Sequence, residues 1–329
     1  MKKSLILLSF LIILLSSCND IRKTSLSGLI YGTTYNIQFY SSYSENYFFE
    51  IDSIFNEIDD SMSTYKSNSL ITKINTNQTV LLDNHFKNVF NTSKKIFNAT
   101  DGRFDPSVGL LVNYWGFGPD TAGTSRLKKT QNQFLELLNK VGFDKFYIND
   151  DILIRPKNSY IDFNAIAKGY AVDQIGLFLK SKNINNFLIE IGGEINASGI
   201  NISKNKNWLV AIDMPRFDGN RSIYDKLELT NISLASSGTY RKFKIDSSGN
   251  RYAHIIDPYT GYPSKTNILS VTVKASSCIE ADAYATAIHT MDIENIKQFF
   301  EKTPNISSLI IFENNKRELE ELILNNFYK

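Results

Sequence analysis

Cysteine is scarce in this chain: Cys18 and Cys278 are the only two. Cys18 is assigned to a lipid below, which leaves Cys278 without an intramolecular partner, so stability has to come from a core and not from disulfides. The Ala-rich surroundings of Cys278 suggest a buried packing thiol in preference to a nucleophile. A surplus of positive charge is also missing. Lys and Arg number 36 against 34 Asp and Glu, and without Lys2 and Lys3 the balance is 34 against 34. That balance gives no electrostatic reason to expect nucleic acid as a partner, since phosphate-backbone binding needs a clustered basic surplus. Beyond residue 18 no apolar run is long enough to cross a bilayer. There is no internal repeat, no low-complexity block and no Pro/Gly-rich linker, so one cooperative unit is expected. Hydrophobic residues make up 42% and charged residues 21%, which places the chain among folded globular proteins.

The N-terminus has a processing pattern. Lys2 and Lys3 precede an uncharged run from Ser4 to Leu15, followed by Leu15-Ser16-Ser17-Cys18. These are a basic region, an apolar region of about 12 residues and a small-residue cleavage site, too short for the roughly 20 residues of a spanning helix. A Cys directly after Leu-Ser-Ser looks like a bacterial lipobox, whose thiol is diacylated; an ordinary secretory peptide with an incidental Cys is the alternative. The expected organisation is a signal peptide over 1–17, a lipidated tether over 18–25 and a folded domain over 26–329. The mature chain is then a membrane-anchored lipoprotein on the extracytoplasmic, periplasmic side.

Residues 29–40 alternate and are β-rich, which predicts a strand. The period then changes. Ile51, Ile54, Phe55, Ile58 and Met62 share one face of a helix. Phe134, Leu137, Leu138 and Val141 predict a second helix, with Gly142 able to end it. Val172, Ile175 and Leu179 form the stripe of a third, from about Asn164 to Lys180. Short β-like runs fall at 146–148, 152–154, 187–191, 208–212, 226–229, 240–245, 252–256 and 268–273. Strands in succession without a βαβα alternation argue an α+β fold with a mostly antiparallel sheet and packed helices, possibly in two lobes.

Four blocks have the composition of a site. Thr100 to Gly109, followed by Trp115 to Pro119, is rich in Gly, Asp and aromatics. It suits a loop that approaches a planar ligand closely, or a structural Ω-loop. Tyr160 to Tyr170 takes a strand end at Asp162 into a helix carrying Lys168. Helix N-termini bind anions such as a diphosphate, although Asp162 could be a plain N-cap. The spacing matches neither a Walker A loop nor G-x-G-x-x-G. Ala253 to Pro263 delivers His254, one of three histidines, to a tight Asp-Pro-x-x-Gly turn, as a base or as a hydrogen-bonded structural residue. Glu280 to His289 is an Ala-rich helix with Asp282 and Thr286 at i and i+4. Their oxygens suit a sparse Mg²⁺ site, or simply each other.

Taken in order, these blocks resemble the ApbE family of FAD:protein FMN transferases. The resemblance also runs through Gly32-Thr33-Thr34, Ser63-Thr64-Tyr65, Ile191-Gly192-Gly193-Glu194 and Ala235 to Tyr240, and covers nearly the whole chain after the signal. It implies an ApbE-like, T-fold-related single catalytic domain. It implies a Mg²⁺-dependent transfer of the FMN half of FAD to a Thr or Ser hydroxyl of an acceptor protein, such as a membrane redox subunit, with release of AMP. It places flavin contacts on Tyr31, Tyr65, Arg103, Phe104, Asp105, Asp162, Lys168 and Ile256. It places metal ligands on the Ala165 carbonyl, Asp282 and Thr286, and a general base on His254. Tyr31 stands where Met is usual, and Ala285 where some relatives carry a second Asp, which leaves Mg²⁺ with fewer protein oxygens. An FAD pyrophosphatase and a non-catalytic flavin-binding lipoprotein are the competing expectations.

Overall fold

The computed structural model describes residues 21–42, 46–119, 130–240, 242–245 and 251–329. Cys18 and the signal segment lie outside the described residues. The chain opens with β1 (Arg22–Ile30) and β2 (Thr33–Ser41), paired antiparallel from Arg22↔Ser41 to Ile30↔Thr33. The single strand expected over 29–40 is therefore a hairpin. Tyr31 (φ 51°) and Gly32 (φ 75°) both take positive φ, the conformation of a two-residue turn whose twist matches its strands. Residues 22–25, expected as tether, belong to β1, because they pair with the buried end of β2.

Helices α1 (Phe48–Met62), α2 (Leu70–Asn75), α3 (Asn84–Ala99), α4 (Gly109–Tyr114) and α5 (Gln131–Leu138) follow. Ile51, Phe55, Ile58 and Met62 are buried along one face of α1, as their spacing predicts. Helix α5 stops at Leu138, and Gly142 (φ 130°) is not its left-handed cap. Instead Gly142 N donates to Ser107 Oγ at 2.8 Å and Phe143 N to Asp105 Oδ2 at 3.2 Å, which draws this loop toward the 105–107 turn. The hairpin β3 (Tyr147–Asn149) with β4 (Ile152–Ile154) leads to α6 (Ala167–Ser181), then β5 (Phe187–Ile191), β6 (Glu194–Ser198), β7 (Trp208–Asp213), β8 (Ile223–Leu229) and β9 (Ile232–Gly238). The chain finishes with β10 (Phe243–Ile245), β11 (Arg251–Ala253), β12 (Ile268–Ala275), α7 (Cys278–Ile288), α8 (Ile293–Lys302), β13 (Ser307–Glu313) and β14 (Leu319–Leu324).

Eight of these strands form one sheet in the order β1-β2-β5-β6-β9-β12-β13-β14, and every neighbouring pair is antiparallel. The sheet is buried on both faces. Ile37 and Phe39 of β2 point to the side where α1, α6 and α7 pack. Tyr40, one residue on, points to the other side, against Trp208 of the β7–β8 ribbon and Phe327. The fold is α+β, as the succession of strands implies. Among the described residues no helix is long and apolar enough to cross a membrane.

Candidate active site

The site grows from a close crossing of α6 and α7. A Cβ at Gly169 would lie 2.4 Å from the Cys278 carbonyl oxygen and 2.9 Å from Asp282 Cβ, so glycine is what lets the two helices meet there. The contact is reciprocal. Asp282 Oδ2 accepts from Gly169 N at 3.0 Å, while Asp173 of α6 accepts from Cys278 N and Ile279 N at 2.9 Å each. Each helix supplies the carboxylate that caps the other. Helix α6 begins at Ala167, three residues later than expected. Asp162 does not cap it, and its Oδ1 instead accepts from Asn164 N at 2.8 Å in the preceding turn. The open helix N-terminus expected for a diphosphate is thus partly occupied by the protein, since Ala167 N donates to Phe163 O and Gly169 N to Asp282.

Lys168 lies between two buried carboxylates. Its Nζ is 2.9 Å from Glu194 Oε1 and 3.9 Å from Asp282 Oδ2. Glu194 was not expected among the site residues, although it ends the Ile191-Gly192-Gly193-Glu194 block. Gly192 (φ 63°) and Gly193 (φ 106°) form the β5–β6 turn, and Glu194 follows it at the start of β6. Thr286, one turn after Asp282, has Oγ1 3.3 Å from Ser237 Oγ on β9. Asp282 and Thr286 are therefore held by different neighbours, not by the bond to each other that their spacing also allowed.

These residues suit a hard cation. The donors are a carboxylate, a hydroxyl and a backbone carbonyl, all oxygen. Both contacts of Asp282 use Oδ2, which leaves Oδ1 for a ligand. The Ala165 carbonyl belongs to the turn that leads into α6. Among the described residues no group of three or more His, Cys, Asp or Glu side chains forms a metal cluster. A cation here would therefore complete its shell with substrate oxygens and water.

His254 immediately follows β11. Its Nδ1 is 3.1 Å from the Lys242 carbonyl oxygen. A carbonyl only accepts, so Nδ1 carries the proton and Nε2 the lone pair. Lys242 Nζ donates to Phe117 O at 2.8 Å, and burial lowers its pKa. Asp162, close enough to oppose that shift, is itself raised by burial against the backbone and side chain of Asn164 and the charge of Lys242. Tyr65 is 63% exposed beside Asp162, and neighbouring Thr64 Oγ1 accepts from Asn164 Nδ2 at 3.3 Å. Tyr65, Asp162, Lys242 and His254 thus form one run of neighbours.

The remaining expected residues make contacts of their own. Arg103 Nη1 donates to Thr290 O at 2.9 Å and meets Asp257 Oδ2 at 3.5 Å, with its guanidinium 4.2 Å from the Tyr259 ring centre. It lines a cleft of about 600 Å³ with Asp257 and Ser264. Phe104 is buried in the main core. Asp105 Oδ1 accepts from Ser107 N at 2.7 Å and Ser107 Oγ at 2.5 Å, so its carboxylate shapes the loop. Burial still raises its pKa. Ile256 packs with Leu111, Tyr114 and Phe134. Tyr31 donates from its hydroxyl to Phe55 O at 2.8 Å, and burial raises its pKa. Cys278 is buried, with its thiol pushed up by that burial, which fits a packing residue.

The family model described as the ApbE family matches residues 31–310. The chain belongs to the ApbE family. A protein of Haemophilus influenzae named FAD:protein FMN transferase is 34% identical over 316 residues, covering 92% of this chain and 90% of its own. One of Vibrio cholerae with the same name is 33% identical over 302 residues, covering 89% of each. The solved structure of the flavin transferase ApbE from Vibrio cholerae superposes with a TM-score of 0.83 at 31% identity, covering 93% of this chain and 98% of that one. The apo flavinyl transferase ApbE of Pseudomonas stutzeri superposes with a TM-score of 0.82 at 26% identity, covering 93% and 96%.

Proposed function

We propose that this chain is an FAD:protein FMN transferase, anchored through Cys18 to the extracytoplasmic face of a membrane and dependent on Mg²⁺. The reading rests above all on one observation: Lys168, Asp282 and Glu194 converge where α6 and α7 cross, with Thr286 one turn away. The relatives that match most of the chain carry the same activity in their names.

In the reaction, the acceptor Thr or Ser oxygen bonds to the phosphorus of the FMN half. The bond from that phosphorus to the bridging oxygen breaks, and AMP leaves with the oxygen. Nε2 of His254 takes the hydroxyl proton, and the Nδ1 hydrogen bond to Lys242 O keeps that nitrogen basic and oriented. Lys168 offsets the charge of Glu194 and Asp282 and meets the diphosphate with its partly exposed ammonium. Asp282, Thr286 and the Ala165 carbonyl would hold a Mg²⁺, which would neutralise charge on the diphosphate oxygens. Tyr65, exposed beside Asp162, offers a ring face to the flavin.

The test is incubation with FAD, Mg²⁺ and a candidate acceptor, followed by flavin fluorescence on the denatured acceptor band and mass spectrometry of AMP. The expected result is a fluorescent band and AMP together, both lost with Asp282→Ala or EDTA. AMP and free FMN without a labelled band would make the chain a pyrophosphatase. FAD binding with neither product would make it a carrier.

A further inference from the structure

The chain enters the sheet at Arg22, and the sheet register shows what surrounds that point. Thr24 of β1 pairs with Phe39, Phe39 with Phe187 of β5, and Phe187 with Ser198 of β6, so four strand ends lie side by side. The exposed cations just beyond this line are Arg22, Lys23, Lys180, Lys182, Lys204 and Lys206. In the described segments that make up this edge (21–24, 39–42, 46–50, 177–187 and 198–206), Glu50 is the one acid. The same edge is apolar at its centre. Phe48 and Phe49, stacked edge to face at 5.5 Å, are 42% and 81% exposed, and Leu177 is 59% exposed. Adjacent Tyr47 packs on Phe178 at 5.5 Å, and Lys182 Nζ lies within 6 Å of both rings, at 5.9 and 5.6 Å.

We propose that this edge docks on the anionic phospholipid surface in which the Cys18 lipid is embedded, an inference that rests on the lipid-anchor reading above. Three observations select a bilayer as the occupant. Only residues 19–20 separate Cys18 from Ile21, where the described chain enters this edge, so a lipid on Cys18 has a reach of about 10 Å and holds this face to the membrane. The charge is complementary, since lysines around exposed aromatics let apolar groups enter the headgroup layer while the ammonium groups meet phosphates. The geometry is consistent with function, because α6 runs from Lys168 in the site to Lys180 at this edge. The 12 residues of rise from Lys168 to Lys180 set the site about 18 Å from this edge, at roughly 1.5 Å per residue. The site then faces soluble acceptor domains and leaves the bilayer behind.

The full chain, reconstituted into vesicles of phosphatidylethanolamine and phosphatidylglycerol, tests this with an environment-sensitive dye on Leu177→Cys or on Leu81→Cys. Leu81 is 74% exposed and sits near the opposite end of α1, where Ser61 bonds Asp83. Cys278 is buried and does not compete for the dye. Brominated lipids should quench the dye at 177 roughly threefold or more over the dye at 81, as expected for insertion at headgroup depth. Adding Phe48→Ser, Phe49→Ser and Lys182→Glu should remove that difference while FAD turnover in detergent is unchanged. Equal quenching at both positions, or a difference that survives the triple variant, overturns the docking surface. The mass of the N-terminal peptide reports acylation of Cys18 separately: an unacylated peptide ends the anchor reading, while the quenching pattern still decides the docking face.

Discussion

Asp282 Oδ2 sits 3.0 Å from the backbone nitrogen of Gly169. The same carboxylate that faces Lys168 therefore also ends a helix, and the reverse contact from Asp173 to Cys278 and Ile279 locks the two helices in register. The carboxylate proposed as a metal ligand is thus also a helix cap, so the position of Asp282 depends on how closely α6 and α7 can approach.

Gly169→Ala tests that dependence. The added carbon would stand 2.4 Å from the Cys278 carbonyl oxygen and 2.9 Å from Asp282 Cβ, neither of which is the far end of a flexible side chain. The helices should separate, with a stability loss of about 1–3 kcal/mol from overpacking. Transfer should fall more than that loss explains, because Asp282 moves with α7. Urea midpoints and initial rates measured on the same preparation separate the two effects, and a variant with wild-type rate would mean that the close approach does not set the site.

His254→Gln retains a side chain of similar reach but has no basic nitrogen. Flavin transfer should drop by about 10²- to 10⁴-fold, the usual contribution of a general base. FAD affinity, read by quenching of flavin fluorescence, should hardly change. Loss of affinity equal to the loss of rate would assign His254 to binding.

Lys168→Ala should destabilise the chain as well as inactivate it, since Glu194 is then a buried carboxylate with its ammonium partner removed. Lys168 is 28% exposed, which reduces the cost from that of a fully buried pair to about 1–3 kcal/mol. Adding Glu194→Gln to this variant should restore much of the stability and none of the activity. Additive losses in the double-mutant cycle would show that the two groups are not coupled.

His289 makes acid stability measurable. It is fully buried, and that burial, with His254 nearby, pushes its pKa down to about 3 against hydrogen bonding to the Ser237 backbone and its own. The unfolded chain takes up this proton near the ordinary value of 6.5, whereas the folded chain does so only near 3. Its contribution is therefore complete above the ordinary value and is lost as the pH falls, at roughly 1.4 kcal/mol per pH unit. Unfolding free energies from urea titrations between about pH 4 and 6.5 should fall less steeply with acid in His289→Gln than in the unsubstituted chain.

Periodicity made much of the fold legible. The buried face of α1, the Val172, Ile175 and Leu179 stripe of α6, the Ala-rich α7 and the strands at 152–154 and 187–191 stand where their patterns place them. The misplacements have local causes. A turn of Tyr31 and Gly32 lies inside an unbroken β-rich run, and alternation does not reveal it because both strands share the pattern. The start of α6 is shifted because its cap comes from Asp282, more than a hundred residues away in the chain, and no local signal marks such a partner.

The order of the motifs alone determined the family and the residue types available for chemistry: one lysine after Ala165-Ile166-Ala167, an Asp and a Thr one turn apart, and a His before an Asp-Pro turn. Tertiary structure decided which of them meet. It brought Glu194 to Lys168 through a β-turn, committed the α6 N-terminus to Asp282, and tied Arg103 to Thr290 and Asp257. Motif spacing reports neighbours along one helix or strand. Contacts between α6, α7 and β6 depend on close packing across the sheet and at Gly169, where a single missing Cβ sets the distance.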